Sequence, residues 1–201
     1  MHKFLLDIPT RIDTERLYLR SYQPGDGPWY FAMSQKNQSH LMRYEADNVV
    51  MGIKSDEDAE IVVRDLAAEW VARNSFFLGV FDKRTDEFVA QIYVGPVSWD
   101  LPEFQIGYFV DKDFEGQGYV TEAAKAALRF AFEHLRAHRV RLRCDDTNVP
   151  SRRVAERCGM VREGHIRENK RNEDGSITGT LLYGLLRGEL VGAETVSTGG
   201  T

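Results

Sequence analysis

The sequence is poor in the features that would staple, export or anchor it. It holds only two cysteines, Cys144 and Cys158, which form neither a disulfide framework nor a paired metal-ligand spacing. No apolar run approaches the roughly 20 residues that cross a bilayer. Residues 1–7 (MHKFLLD) lack the long apolar stretch and small-residue cleavage site of a signal peptide. These absences give the expectation of a reducing, cytoplasmic location with no membrane partner. Basic charge is also short: 26 Lys and Arg against 31 Asp and Glu leave a net charge of −5. That argues against a uniformly basic nucleic-acid binder, and a mildly acidic surface suits a cationic amine. There is no internal repeat and no low-complexity linker. Only residues 192–201 are poor in apolar side chains, so residues 1–190 are expected to form a single domain and 191–201 a flexible tail.

What is present is a patterned mixture of strands and helices. Leu17 and Leu19 alternate within 16–22, which reads as a strand. Pro28 is placed to open a short helix. Ser55, with Asp58 three residues on and Val62, Leu66 and Trp70 beyond, predicts a capped amphipathic helix over 56–73. The runs 76–82 and 88–97 read as a hairpin, and 103–110 as a further strand. After Gly116-Gln117-Gly118, the positions Val120, Ala124, Ala127, Leu128, Ala131 and Leu135 recur at helical spacing. Strands are predicted at 139–144, 160–168 and 179–187, with a helix at 149–158 between Pro150 and Gly159. Seven strands and helices in this order make a mixed α/β layer arrangement, not a regular βαβ repeat.

The segment from Val110 to Ala124 carries the first chemical signal. A strand ends, two glycines follow and a helix starts, an arrangement that lets backbone N–H groups approach an anion. Gly-x-Gly alone equally describes an ordinary strand-to-helix turn. No Gly-Lys-Ser/Thr follows, which excludes a Walker-type loop, and Thr121 stands where a dinucleotide fingerprint has its third glycine. His134 and His138 are four apart, but no Glu follows His134 as in a zinc-protease helix, so no metal is expected. Cys144 and Cys158 read as small core residues, Trp29, Trp70 and Trp99 as core or pocket wall, and Arg139, Arg141 and Arg143 as a solvated strand face.

Three ordered blocks then agree. Residues 106–111 (IGYFVD) with 114–123 (FEGQGYVTEA) resemble the acetyl-CoA motif of the GNAT superfamily, in its RimJ/RimL-like branch of ribosomal-protein N-terminal acetyltransferases. Residues 148–160 (NVPSRRVAERCGM) and 14–20 (TERLYLR) fit the same branch, and the similarity spans about residues 12–190. The resemblance implies a single α/β (α+β) domain with a mixed, mostly antiparallel sheet of about seven strands and about four helices, splayed between its fourth and fifth strands at 103–110 and 139–144. It implies acetyl-CoA as cosubstrate, with backbone groups of Phe109 and Val110 on the pantetheine arm, backbone N–H groups of Glu115, Gly116, Gln117, Gly118 and Tyr119 on the pyrophosphate, and Asn148 on the pantetheine. The implied acceptor is an amine, first the α-amine of a protein N-terminus and second a small-molecule amine such as an aminoglycoside or polyamine. A homodimer is common in such enzymes. A non-catalytic acyl-CoA sensor on the same fold is the reading from another class.

The sequence departs from the superfamily pattern at three places. Asp113 stands where Gln or Arg is frequent, Gln105 where the branch has an acid, and Ala155 where many members have a tyrosine acid. Glu103, two residues from Gln105 and on the same strand face, is the candidate base. Ser151 is the candidate acid for the leaving thiolate. As local features, Asn148 would also cap the 149–158 helix, with Ser151 in its first turn.

Overall fold

The computed structural model describes residues 2–172 and 174–190. Its strands are β1 (Arg11–Asp13), β2 (Leu17–Ser21), β3 (Phe76–Asp82), β4 (Phe88–Ser98), β5 (Glu103–Val110), β6 (Arg139–Asp145), β7 (Val161–Arg171) and β8 (Ile177–Leu186). The helices are α1 (Gly27–Leu41), α2 (Asp56–Ala72), α3 (Tyr119–Glu133) and α4 (Val149–Arg157). One sheet runs β1-β2-β3-β4-β5-β6-β8-β7. It has eight strands among the described residues where about seven were expected, because β1 is three residues long and too short to show a period. The expected tail at 191–201 lies outside the described residues.

Alternation along the strands makes two cores. Phe76 enters one cluster and its neighbour Phe77 packs against the other, so the clusters lie on opposite faces of the sheet. The larger joins Leu17, Leu78, Ile92, Phe104 and Ile106 to Ala123, Ala127 and Phe130 of α3. The run of buried alanines on α3 lets the helix lie close against the sheet. The smaller cluster gathers Tyr22, Tyr30, Met33, Val63 and Phe109 beneath α1 and α2. Ser55 caps α2 as its spacing predicts, its hydroxyl accepting from the Asp58 N–H at 3.1 Å. α1 is longer than a short helix, fifteen residues, and buries the polar Ser34 and Asn37.

Every neighbouring pair of strands is antiparallel except β5 and β6. A parallel pair needs a crossover, and α3 supplies it. This parallel pair is where the sheet opens.

Candidate active site

β5 and β6 are paired only at Glu103–Arg139, Phe104–Val140 and Gln105–Arg141. Beyond Gln105 both strands continue, to Val110 and Asp145, without pairing. The gap between them opens into a cleft of about 1090 Å³, lined on one side by Gly107 to Val110 and on the other by Leu142 to Asp145. Past Gln105, the β6-facing backbone groups of β5 therefore have no strand partner.

The mouth of the cleft is the glycine loop. Gly116 and Gly118 have φ of +73° and +79°, backbone that glycine adopts without strain. Among the described residues, none of the seven backbone N–H groups from Glu115 to Thr121 has a protein acceptor; the first helical bond is Glu122 N–H to Gly118 O, 3.1 Å. Glu115 to Gly118 are exposed, so these groups are open to solvent or to a ligand. A run of free ones at the start of a fifteen-residue helix is an anion cradle, because their dipoles and that of the helix converge.

The loop is clamped from the turn between β1 and β2 and from α1. Glu122 accepts from the Thr14 hydroxyl at 2.6 Å, the Arg16 N–H at 2.9 Å and Arg16 Nε at 2.7 Å. Burial works against its ionisation, but these donors more than offset it and hold its pKa below the ordinary value. Arg16 also donates to the Gln117 carbonyl at 3.2 Å and lies over the Tyr119 ring at 4.4 Å. On the other flank, buried Asp111 accepts from Asn37 Nδ2 at 2.9 Å and Lys36 Nζ at 2.7 Å, while Asn37 Oδ1 accepts the Lys112 N–H at 2.9 Å.

At the inner wall, Asn148 caps α4, its Oδ1 accepting the Ser151 N–H at 3.0 Å. Its Nδ2 has no partner among the described residues, and Asn148 lines the cleft. Two hydroxyls meet here: Tyr108 donates to the Ser151 carbonyl at 3.0 Å, and Ser151 Oγ donates to the Tyr108 hydroxyl at 3.3 Å. Burial pushes the Tyr108 phenol well above its ordinary pKa. Cys144, buried against Ser151, is raised for the same reason.

The predicted site residues divide. Phe109, Val110, Glu115, Gly116, Gly118, Tyr119, Asn148 and Ser151 all line the cleft. Gln117 borders it through its backbone, its side chain donating to the Asp113 carbonyl at 3.1 Å. Glu103 lies outside the lining, at the closed end where β5 and β6 are still paired, with Oε1 accepting from Arg139 Nε at 3.2 Å. Arg139 also grips Glu163, and Arg141 Nε donates to Gln105 at 3.3 Å. Two of the three strand arginines are thus half-buried and engaged, which corrects the expectation of a purely solvated face. His134 and His138 do not share a helix, since α3 ends at Glu133 and His134 is its cap.

An acetyltransferase (GNAT) domain model matches residues 16–161. The chain belongs to the GNAT acetyltransferase family. It is 36% identical over 183 residues to YdaF of Bacillus subtilis (strain 168), named as a candidate ribosomal N-acetyltransferase, covering 90% of this chain and 96% of YdaF. Among solved structures, the ribosomal-protein-S5-alanine acetyltransferase of Vibrio fischeri superposes with a TM-score of 0.79 at 17% identity, covering 90% and 99% of the two chains. RimL, a ribosomal L7/L12 α-N-protein acetyltransferase solved with coenzyme A, gives 0.77 at 19% identity, covering 89% and 97%.

Two of this GNAT chain's departures from the superfamily pattern have structural counterparts. Where the motif often has a basic residue, Asp113 carries Lys36 of α1, whose Nζ lies 2.7 Å from both Asp113 and Asp111. Where many members place a tyrosine on α4, Ala155 is buried in the core, and a phenol reaches the same helix from Tyr108 of β5. Lys36, Asn37 and Tyr108 were missed as site residues. Only Tyr108 had a signal, its place in the strand beside Gly107. Among the described residues no helix is long and apolar enough to cross a membrane, and no cluster of three or more His, Cys, Asp or Glu is placed to hold a metal.

Proposed function

We propose that this chain transfers the acetyl group of acetyl-CoA to a primary amine by direct attack, and that the amine is the α-amine of a protein N-terminus. The observation that carries the first part is the run of unpartnered N–H groups from Glu115 to Thr121 at the mouth of the split between β5 and β6. A pyrophosphate satisfies N–H groups of Glu115 to Tyr119, backbone groups of Phe109 and Val110 take the pantetheine arm along the unpaired edge of β5, and Asn148 Nδ2 is free to donate to it. RimL, solved with coenzyme A, supports the same reading.

The neutral amine attacks the thioester carbonyl carbon, the C–S bond breaks, and the thiolate takes the Ser151 proton, which water then restores; Tyr108, hydrogen-bonded to Ser151, holds the serine in place. The proton lost by the amine passes to Glu103 or to water. The ionisable side chains lining the cleft with acid–base capacity, His40, Glu45, Glu115 and Asp145, each already hold a partner. An acceptor that needs little deprotonation therefore suits the site. At neutral pH roughly a tenth to a sixth of an α-amine is uncharged, against about four parts in ten thousand of a lysine amine. The name of YdaF and the RimL description point the same way.

The test is acetylation of short peptides carrying one free α-amine and one lysine, with the modified atom located by mass spectrometry. Exclusive α-N-acetylation is expected. Lysine acetylation, or turnover only of polyamines or aminoglycosides, contradicts the acceptor assignment. Coenzyme binding without turnover of any amine leaves a sensor. In the same assay Glu103→Gln should lower kcat/KM at neutral pH and recover as pH rises; an unchanged profile removes Glu103 as base.

A further inference from the structure

The face of β6 turned away from the main core is lined by three arginines. Val140, Leu142 and Cys144 are buried in the core, so Arg139, Arg141 and Arg143 share the opposite face. α1 packs mainly against α2, and α2 against β2 and β3, while α3 and α4 pack on the core side. The arginine face of β6, with β8 and the Glu103–Gly107 part of β5, is thus left without a covering helix, while Phe109 further along β5 packs in the cluster beneath α1 and α2. Its surroundings are small: Gly107 stands on β5, and on β8 a Cβ at Gly184 would collide with the Arg139–Glu163 ion pair.

The three arginines are not equivalent. Arg139 is neutralised between Glu103 and Glu163. Arg141 uses only Nε, on the neutral amide of Gln105, and has no carboxylate partner among the described residues. Arg143 is exposed, lines the cleft, and makes no hydrogen bond or ion pair among the described residues. Positive charge therefore rises along β6 from the closed end of the cleft to its open end, in a chain of net charge −5. Around the rim, Arg43 and Lys170 add to it, while Glu45 and Asp145 oppose it; Asp145 is bound by Thr147 and Thr178. A guanidinium fork without a carboxylate partner, half-buried in Arg141 and exposed in Arg143, matches the geometry of a carboxylate.

Resting on the reading that the acceptor is a polypeptide N-terminus, we propose that Arg141 and Arg143 select N-termini with an acidic side chain in the first few residues. The two arginines are one pleat repeat apart, about 6.6 Å, which matches side chains i and i+2 of an extended segment. The same two positive charges disfavour the ammonium form of a nearby amine, so recognition and deprotonation draw on one feature.

The test compares kcat/KM on three peptides identical except at positions 2 and 4, which carry Asp and Glu, Asn and Gln, or Lys and Lys. The wild type should favour the acidic peptide over its amide isostere by about tenfold or more, as expected for charge-assisted contacts, and added salt should narrow the gap. Arg143→Gln and Arg141→Gln should each shrink the preference, Arg143→Lys should keep part of it, and Arg129→Gln, on the outer side of α3, should keep all of it. Equal rates on acidic and amide peptides, or a preference that survives the double Gln variant, overturns the proposal and leaves the N-terminal reading intact. If free Asp-Glu dipeptide is acetylated as fast as the longer peptide, the arginines serve a small anionic amine and the polypeptide assignment falls. If no peptide is acetylated although coenzyme A binds, the N-terminal reading itself has failed.

Discussion

Replacing Gly116 or Gly118 by alanine isolates the backbone's part in the cradle. At Gly116 a built Cβ meets nothing within 4 Å, and at Gly118 its one neighbour is Arg16 Nη2 at an ordinary 3.7 Å. Steric clash therefore contributes nothing, and the whole cost is that of holding an L-residue at φ near +75°, about 1–2 kcal/mol. This cost can surface in two ways. If the loop keeps its shape, the variant unfolds a few degrees lower, at about 2–4 °C per kcal/mol for a chain of this size. If the loop relaxes to negative φ, its N–H groups turn away and coenzyme A affinity falls by a factor of about 5–30. Calorimetric binding and thermal unfolding together should recover the full 1–2 kcal/mol. Pantetheine, which lacks the pyrophosphate, should bind the variants as it binds the wild type. Asparagine tolerates this backbone region, so Gly116→Asn should recover most of the loss. Alanine variants unchanged in both Tm and Kd, or an Asn variant as impaired as Ala, would refute the reasoning.

Asp111→Asn should lower the unfolding free energy by about 1–3 kcal/mol, since it weakens a buried, multiply bonded carboxylate, and urea unfolding reads it. Burial opposes ionisation of Asp111 but Lys36 and Asn37 outweigh it, so its folded pKa lies below the usual value. Its contribution is therefore complete above the unfolded pKa of about 4 and is lost as pH falls further; the wild type should lose stability there more steeply than Asp111→Asn. Ser151→Ala should reduce kcat by about a hundredfold or more, as loss of a general acid does, and Tyr108→Phe by less, with coenzyme affinity nearly constant in both; a change confined to KM would contradict an acid role. Burial pushes the Cys158 thiol up to about 11 and raises Cys144 as well. Both should react slowly with iodoacetamide at pH 8, and coenzyme A should protect Cys144, which lines the cleft, but not Cys158; equal protection would contradict the cleft assignment.

Local chemistry was legible in the sequence, and long-range pairing was not. The Ser55 cap, the positive-φ glycines and the alanine-rich stripe of α3 each follow from residues a few positions apart. α1 was read as short because its buried face includes Ser34 and Asn37, which break the apolar period. Asn37 is buried because it bonds Asp111 and the Lys112 N–H, some 75 positions away, and no local pattern announces such a contact. The clamp of Thr14 and Arg16 on Glu122 was visible only as a block resembling a family, without its purpose. The arginines of β6 alternate as a surface strand does. Their engagement with Glu103, Gln105 and Glu163 depends on which strands flank β6, and parallel pairing with β5 cannot be read from period alone.

The split between β5 and β6, with its run of N–H groups that lack a protein acceptor, is proposed to receive acetyl-CoA. Calorimetric titration of the wild-type protein with acetyl-CoA, beside coenzyme A, ATP and NAD, tests it most directly. Saturable one-to-one binding of acetyl-CoA and coenzyme A at micromolar Kd or tighter is expected, with ATP and NAD weak or silent. Folded protein that does not bind acetyl-CoA, or binds ATP or NAD in preference, would contradict it.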